Sequence, residues 1–259
     1  WGILVGKNTP SIAIIILNWN NAALTIKCVN SWLKHKDGSF DIYIIDNGSE
    51  NEERSILLSY INSFNGNIIT EQMINNPELN INKNNEVSVT LVLLTQNYGY
   101  AKGNNYGLEL SIKQNYDYSI ICNNDILLPD DFDLDSLMSC FNSDSDIVLV
   151  GPKIINTDGR IQEPYYTKPN IFYPALYQLF YPLAYPINKL YRLINNTRFS
   201  DATCVYSVSG CFMVHKNNCI KTLGLLDPKT FLYGEELILG EKISDKGWKA
   251  CYYPHTWVI

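Results

Sequence analysis

The sequence predicts an α/β fold built on a mostly parallel, doubly wound sheet, and three observations carry that reading. Short runs of β-branched apolar residues recur through the first half, as expected of strands covered on both faces. Stretches with helical spacing separate those runs. Each run ends in a polar or glycine-bearing turn. Strand, helix and strand in alternation build a parallel sheet through right-handed crossovers.

Residues 11–17 (SIAIIIL) are the first such strand, and residues 22–34 follow with Leu24, Cys28, Val29 and Trp32 at helical spacing. Residues 41–45 form a second strand and 55–64 a second helix. The segment 65–87 is Asn-rich and polar, which reads as a mobile surface insertion. Residues 89–95 are the third strand, 103–114 its helix, 118–122 the fourth strand and 147–150 the fifth. The second half changes character. Residues 164–193 are tyrosine-rich and hold five prolines, which cut any helix into short pieces. Beyond them, 204–215 reads as a strand, 235–246 as a helix and 248–253 as a final strand.

At 259 residues the chain can bury a core of substantial size. With 46% hydrophobic and 18% charged residues it reads as globular, neither disordered nor membrane-spanning. No stretch reaches the 18 or so uncharged apolar residues that a transmembrane helix needs. The net charge of −6 gives no footprint for a nucleic-acid backbone, so none is expected as a partner. Seven cysteines without a CxxC pair read as reduced thiols of a cytoplasmic protein. Two glycosylation sequons, at Asn47 and Asn195, read as coincidental in that setting. The chain starts without methionine and stops inside an apolar run, so flanking segments, an anchor included, are expected.

In open α/β sheets, ligands bind outside the carboxyl ends of the strands. Four polar turns stand at such ends. Asn18-Trp19-Asn20-Asn21 closes the first strand: its amides and indole either flank a base or cap the next helix. Asp46-Asn47-Gly48-Ser49 closes the second, where the carboxylate either accepts from a ribose or base or merely shapes a turn. Asn97 to Asn105 carries Gly99 and Gly103, either a close approach to an anion or a tight turn. Asn123-Asn124-Asp125 follows the fourth strand and offers one carboxylate, enough for Mg²⁺ or Mn²⁺ when substrate phosphates complete the shell. Further on, one of Glu235 and Glu236 suits a general base, and the other a cap or ion pair. Of three histidines, only His255 comes late enough after the final strand to reach such a site.

Taken in order, seven markers resemble the family 2 glycosyltransferases, and most closely their bacterial rhamnosyltransferase-like branch. They are Ile15-Ile-Leu-Asn-Trp-Asn20, Ile44-Ile-Asp-Asn-Gly-Ser49, Asn97 through Asn105, Asn123-Asn-Asp125, Val150-Gly-Pro-Lys153, Ser209-Gly-Cys-Phe-Met-Val214 and Phe231-Leu-Tyr-Gly-Glu-Glu236. The resemblance implies an A-type glycosyltransferase fold, in which residues 10–126 are a Rossmann-like nucleotide-sugar-binding half. It is merged, in one domain over 1–259, with a smaller acceptor half at 127–259. Within that half, 164–203 would be a lid or acceptor segment.

The same resemblance implies roles. Asn18, Asn20, Asp46, Asn97, Gly103 and Asn124 would bind the donor, with Asp46 on the base or ribose. Ser209 and Gly210 would lie near the donor sugar. Asp125 would hold Mn²⁺ or Mg²⁺, with His255 as a second metal contact. Glu236 would be the base, next to Glu235. The partners so implied are a nucleotide-diphosphate sugar and a glycan or lipid-linked glycan. The expected activity is inverting hexosyl or deoxyhexosyl transfer in bacterial surface polysaccharide synthesis. Asn123 and Glu236 stand where the family usually has aspartate. The tyrosine-rich segment either shapes the acceptor site or touches the inner face of the cell membrane. A sugar-nucleotide nucleotidyltransferase fits less well, because no basic glycine-rich loop follows the first strand. A catalytically inactive module that only binds a nucleotide or a partner is the other reading.

Overall fold

The computed structural model describes residues 10–35, 40–76, 79, 81, 87–169 and 201–259. The elements run in the order β1 Ile12–Asn18, α1 Ala22–Leu33, β2 Phe40–Asp46, α2 Asn51–Asn62, β3 Asn67–Thr70, α3 Glu71–Ile74, β4 Val89–Leu93, α4 Gly99–Lys113 and β5 Tyr118–Asn123. Then come α5 Leu134–Ser143, β6 Ile147–Ile155, β7 Ile161–Gln162, β8 Thr203–Val205, β9 Phe212–Lys216, α6 Asn217–Leu223, α7 Glu235–Asp245 and β10 Lys249–Val258.

One sheet runs through both halves, in the order β3-β4-β2-β1-β5-β9-β6-β10-β8, with β7 on β6. From β3 to β5 every pairing is parallel. Strand β9 is antiparallel to both β5 and β6, while β10 returns parallel to β6. Alternate residues of each central strand face opposite layers, as the two-residue period requires. Ile12, Ile14 and Ile16 pack with Cys28, Val29 and Trp32 of α1, Leu57 of α2 and Phe141 of α5. Ala13 and Ile15 pack with Leu108 of α4, Ile220 of α6 and Leu239 of α7. This is the mixed α/β, doubly wound arrangement that the alternation predicts. None of the described helices is long and apolar enough to cross a membrane.

Several expected boundaries move. The second helix starts at Asn51, four residues early, because Glu52 and Glu53 complement its amino-terminal dipole. The helix after β4 starts at Gly99 and not at 103, so most of the glycine-bearing turn is helix. Polar residues hid that turn from periodicity. The expected strand 204–215 is two, β8 and β9, separated by the polar Ser207–Gly210 stretch. The segment 65–87 is not simply a surface insertion. It contributes β3 at the sheet edge, and Ile69, Ile74 and Ile81 are buried. Glu71 secures it: its carboxylate accepts from the hydroxyls of Tyr98, Tyr106 and Thr95. Burial opposes ionisation there, but these hydrogen bonds hold the carboxyl down to about 2. Residues 77, 78, 80 and 82–86 of this segment, and 170–200 of the tyrosine-rich one, lie outside the described residues.

The turn after β2 depends on one glycine. Gly48 has φ +72°, and a Cβ there would stand 2.2 Å from the Gln96 carbonyl carbon. Gly48→Ala should therefore cost ~3 kcal/mol of unfolding free energy, since strain and backbone overlap add. Denaturant unfolding of the variant checks this.

His215, in the central strand β9, is 1% exposed and its Nε2 lacks a partner. Burial pushes its imidazole down to about 3. Below pH 6.5 the unfolded chain takes up a proton that the folded one refuses, so stability falls as pH falls between about 6.5 and 3. The slope from this group approaches ~1.4 kcal/mol per pH unit. His215→Gln should flatten the wild-type stability profile across that window in unfolding titrations at stepped pH.

Candidate active site

Strands β1, β2 and β5 end together, and their terminal side chains lock one another. Asn18, fully buried, donates from Nδ2 to Asp46 Oδ1 at 3.1 Å and to Ser49 Oγ at 3.0 Å. Its Oδ1 accepts from Thr25 Oγ1 at 2.7 Å. The other Asp46 oxygen pairs with Arg54 Nε at 2.8 Å, and Arg54 also donates to the Leu94 carbonyl. Asn20 accepts from the Glu50 amide, while its own amide donates to Ser49. Asn18 and Asp46, both buried, and the half-buried Asn20 thus form a closed bracket and line neither of the two cavities described below. Asp46, expected at the base or ribose, has its carboxylate enclosed by Asn18 and Arg54.

A second bracket joins that turn to α4. Asn47 Nδ2 donates to Asn97 Oδ1 at 2.9 Å and to the Gly99 carbonyl, and Asn47 Oδ1 accepts from the Tyr98 amide. Asn97 Oδ1 also accepts from the Gly99 amide. Gly103, expected at the donor diphosphate, lies one turn into α4, and a Cβ on it would stand 2.7 Å from Leu17 Cδ1. Its bareness serves helix–strand packing, because the helix begins earlier than periodicity suggests.

Helix α4 in turn fixes the segment that leads to the two glutamates. Asn105 and Leu226 exchange two hydrogen bonds, and the Tyr100 amide donates to the Phe231 carbonyl at 2.7 Å. Gly99, at φ +80°, leaves room for that carbonyl, 2.5 Å from where a Cβ would stand. The Tyr100 phenol donates to the Gly210 carbonyl.

Two adjoining cavities result. One, of about 450 Å³, is lined by Trp19, Asn21, Asn47, Asn97, Asn124 and Phe231 among others, with no charged side chain. The other, of about 560 Å³, holds Asp125, Ser209, Gly210, Glu235 and Glu236. Tyr100, Asn123 and Leu232 belong to both. Of the residues expected at the site, Asn97 and Asn124 face the first cavity, and Asp125, Ser209, Gly210, Glu235 and Glu236 the second.

Both carboxylates bear on Gly210. A Cβ on it would stand 3.6 Å from Glu236 Oε2 and 3.7 Å from Glu235 Oε1. Glu235 is 5% exposed and its Oε2 has no partner among the described residues. Burial pushes its carboxyl above the usual range, and the Glu236 charge adds to that. Glu236 is partly open and accepts from the Tyr165 hydroxyl at 3.2 Å. Helix α7 thus presents one enclosed and one accessible carboxyl to the same space.

Asp125 is exposed in the turn after β5 and lines the second cavity without a hydrogen-bond or ion-pair partner among the described residues. Among the described residues, no three His, Cys, Asp or Glu side chains gather closely enough to hold a metal themselves. One hard carboxylate beside the Asn123 amide fits a divalent cation that takes its remaining oxygens from a bound phosphate ligand. His255 lies within β10, lines neither cavity, and stands 3.9 Å from Asp201. Strand β10 runs on to Val258, so His255, expected after the final strand, stands within it. Sequence reading did not single out Tyr100, Asn47 or Gln162, whose Nε2 donates to Ser209 Oγ. Tyr100 stands inside a marker, but only the early helix start reveals its role.

Residues 13–211 match the family model described as Glycosyl transferase family 2. No curated protein matches the chain. Among solved structures, similarity extends to GalNAc-T7 with UDP, GalNAc and Mn²⁺, at TM-score 0.62 and 15% identity over 97% of this chain and 44% of that one. It extends also to S. aureus TarS 1-349, at 0.58 and 12% over 96% of this chain and 59% of that one. The mannosyltransferase PcManGT from Pyrobaculum calidifontis, in complex with GDP-Man and Mn²⁺, matches at 0.58 and 15% over 97% of this chain and 57% of that one. The chain spans about half the length of these structures, which share its fold. With a family model covering most of its length, the chain belongs to the family 2 glycosyltransferases.

Proposed function

We propose that the chain transfers a hexosyl or deoxyhexosyl group, with inversion, from a nucleotide-diphosphate sugar of the UDP or dTDP type to a hydroxyl of a glycan or lipid-linked glycan. Bacterial surface polysaccharide synthesis, in the rhamnosyltransferase-like branch, is the setting we infer from the sequence markers. The observation that carries the reading is the pair of cavities joined at Tyr100 and Asn123. The neutral, amide-lined one suits a nucleoside, and the acidic one suits a sugar and an incoming hydroxyl. The mention of UDP with Mn²⁺ and GDP-Man with Mn²⁺ in the names of two similar structures supports a donor of this class and a divalent cation.

In this reading Trp19, Asn97 and Asn124 hold the nucleoside. Asn18, Asn20, Asp46 and Gly103 keep the floor beneath it. Asp125 and Asn123 would hold Mn²⁺ or Mg²⁺ against the diphosphate, and the cation would offset charge building on the leaving group. Glu236 accepts the proton of the acceptor hydroxyl as its oxygen bonds to the anomeric carbon. The bond from that carbon to the diphosphate oxygen breaks, and the nucleoside diphosphate leaves with the electron pair. Glu235, whose burial raises its carboxyl above the usual range, stands enclosed beside the more accessible Glu236. Ser209 and Gly210 leave space for the sugar between the two carboxyls.

Two measurements test this. Melting of the chain with UDP, dTDP, GDP and CDP, each with and without Mn²⁺, should show a Mn²⁺-dependent rise with one base class. A nucleotide at 100 times its Kd adds about 2.7 kcal/mol. No shift with any nucleotide would overturn the donor-binding reading, whereas a shift without transfer would favour the inactive module. With the donor identified, Glu236→Gln should lose ~10²–10⁴-fold in turnover while keeping the donor-induced shift. Asp125→Ala should lose the Mn²⁺-dependent part of that shift. Near-normal turnover of Glu236→Gln would transfer the base to Glu235.

A further inference from the structure

Three of the seven thiols stand together on the far side of the sheet from α4. Cys140 of α5 and Cys251 of β10 are both buried, and their sulfurs lie 3.0 Å apart. Cys204 of β8 is the cross-strand partner of Cys251 and is exposed. Directly paired residues on antiparallel strands project to the same face, so exposed Cys204 stands on the side of the sheet where Cys251 meets Cys140. Strand β8 is three residues long and stands at the sheet edge. Short edge pairings open at low cost, which gives Cys251 a route to the exterior. Cys140 Sγ donates to Cys251 Sγ, so the two buried sulfurs are already aligned on one another. None of these side chains lines either cavity of the proposed active site.

We propose that Cys140 and Cys251 form a disulfide by exchange with a small-molecule disulfide such as oxidised glutathione, with Cys204 as the entry thiol. The Cys204 thiolate attacks the external disulfide, and one glutathione thiolate leaves. Cys251 attacks the Cys204 sulfur of the mixed disulfide, its proton passing to the second glutathione as that thiolate is expelled. Cys140 then attacks Cys251, and Cys204 returns as a thiolate. Two protein thiols are oxidised and one glutathione disulfide is reduced to two thiols, so electrons and atoms balance. The link would close a long chain loop, which restricts the unfolded chain and raises the melting temperature. Cys28 and Cys122 supply an internal comparison: their sulfurs are 3.9 Å apart, both residues are fully buried, and neither has an exposed thiol as strand partner.

The test uses the whole reduced chain in glutathione buffers of rising oxidised fraction, quenched by alkylation and mapped by peptide mass spectrometry. A peptide pair joining Cys140 to Cys251 should form, with a higher melting temperature, while Cys28 and Cys122 stay alkylated as free thiols. In Cys204→Ser the same pair should form at least tenfold more slowly. In Cys251→Ser, Cys204 should be trapped as its glutathione adduct. Absence of the 140–251 pair in the wild-type chain, which needs no variant to observe, would overturn the proposal. An unchanged rate in Cys204→Ser would overturn the entry route.

Discussion

The buried carboxylate of Asp46 is the constraint around which the first half is arranged. A fully enclosed charge is costly unless it is paired and hydrogen-bonded. Here it meets the Arg54 guanidinium on one oxygen and the Asn18 amide on the other. Because Asn18 ends β1, Asp46 ends β2 and Arg54 rises from α2, the pairing sets where two strands stop and how the intervening turn lies. Ser49 and Thr25 complete the satisfaction of Asn18. The neighbouring amide Asn47 then couples this corner to the start of α4. A ligand above this corner therefore meets a surface already ordered, with little conformational freedom left to lose.

From α4 the order passes across the molecule by three contacts: Asn105 with Leu226, the Tyr100 amide with Phe231, and the Tyr100 phenol with Gly210. The last two fix the approach to both glutamates and the strip between them. Gly210 matters because both carboxyl groups come within van der Waals reach of its missing Cβ. Two like charges so placed cannot both be comfortable. Unequal burial resolves the conflict by making Glu235 the harder to ionise.

Most of the sheet was legible because its strands are covered on both sides. Continuous runs such as 12–16 and 42–45 have no use except in a buried parallel strand. The helical start at Gly99 was not legible, because Asn97, Gly99 and Asn104 carry turn-forming residues that tertiary bonds override. The edge strand β3 was hidden by its Asn-rich surroundings and is held by side chains distant in sequence, Tyr98 and Tyr106. At the site, Asp125 and the Glu235–Glu236 pair could be found as charges at element ends. The enclosure of Asp46 could not, since it depends on an arginine one helix later adopting one rotamer.

Strand β9 has a consequence for how the molecule assembles. It is the inner strand between β5 and β6, yet it follows both in the chain and runs against them. Until it emerges, β5 presents an unpaired apolar edge, Ile120, Ile121 and Cys122 included, and the two halves of the sheet have no common strand. Non-local pairing of this kind slows folding and leaves an edge open to association with other chains. A polypeptide interrupted before residue 212 thus lacks the keystone of its sheet, however complete its nucleotide-side strands are, and chaperones would meet it in that state.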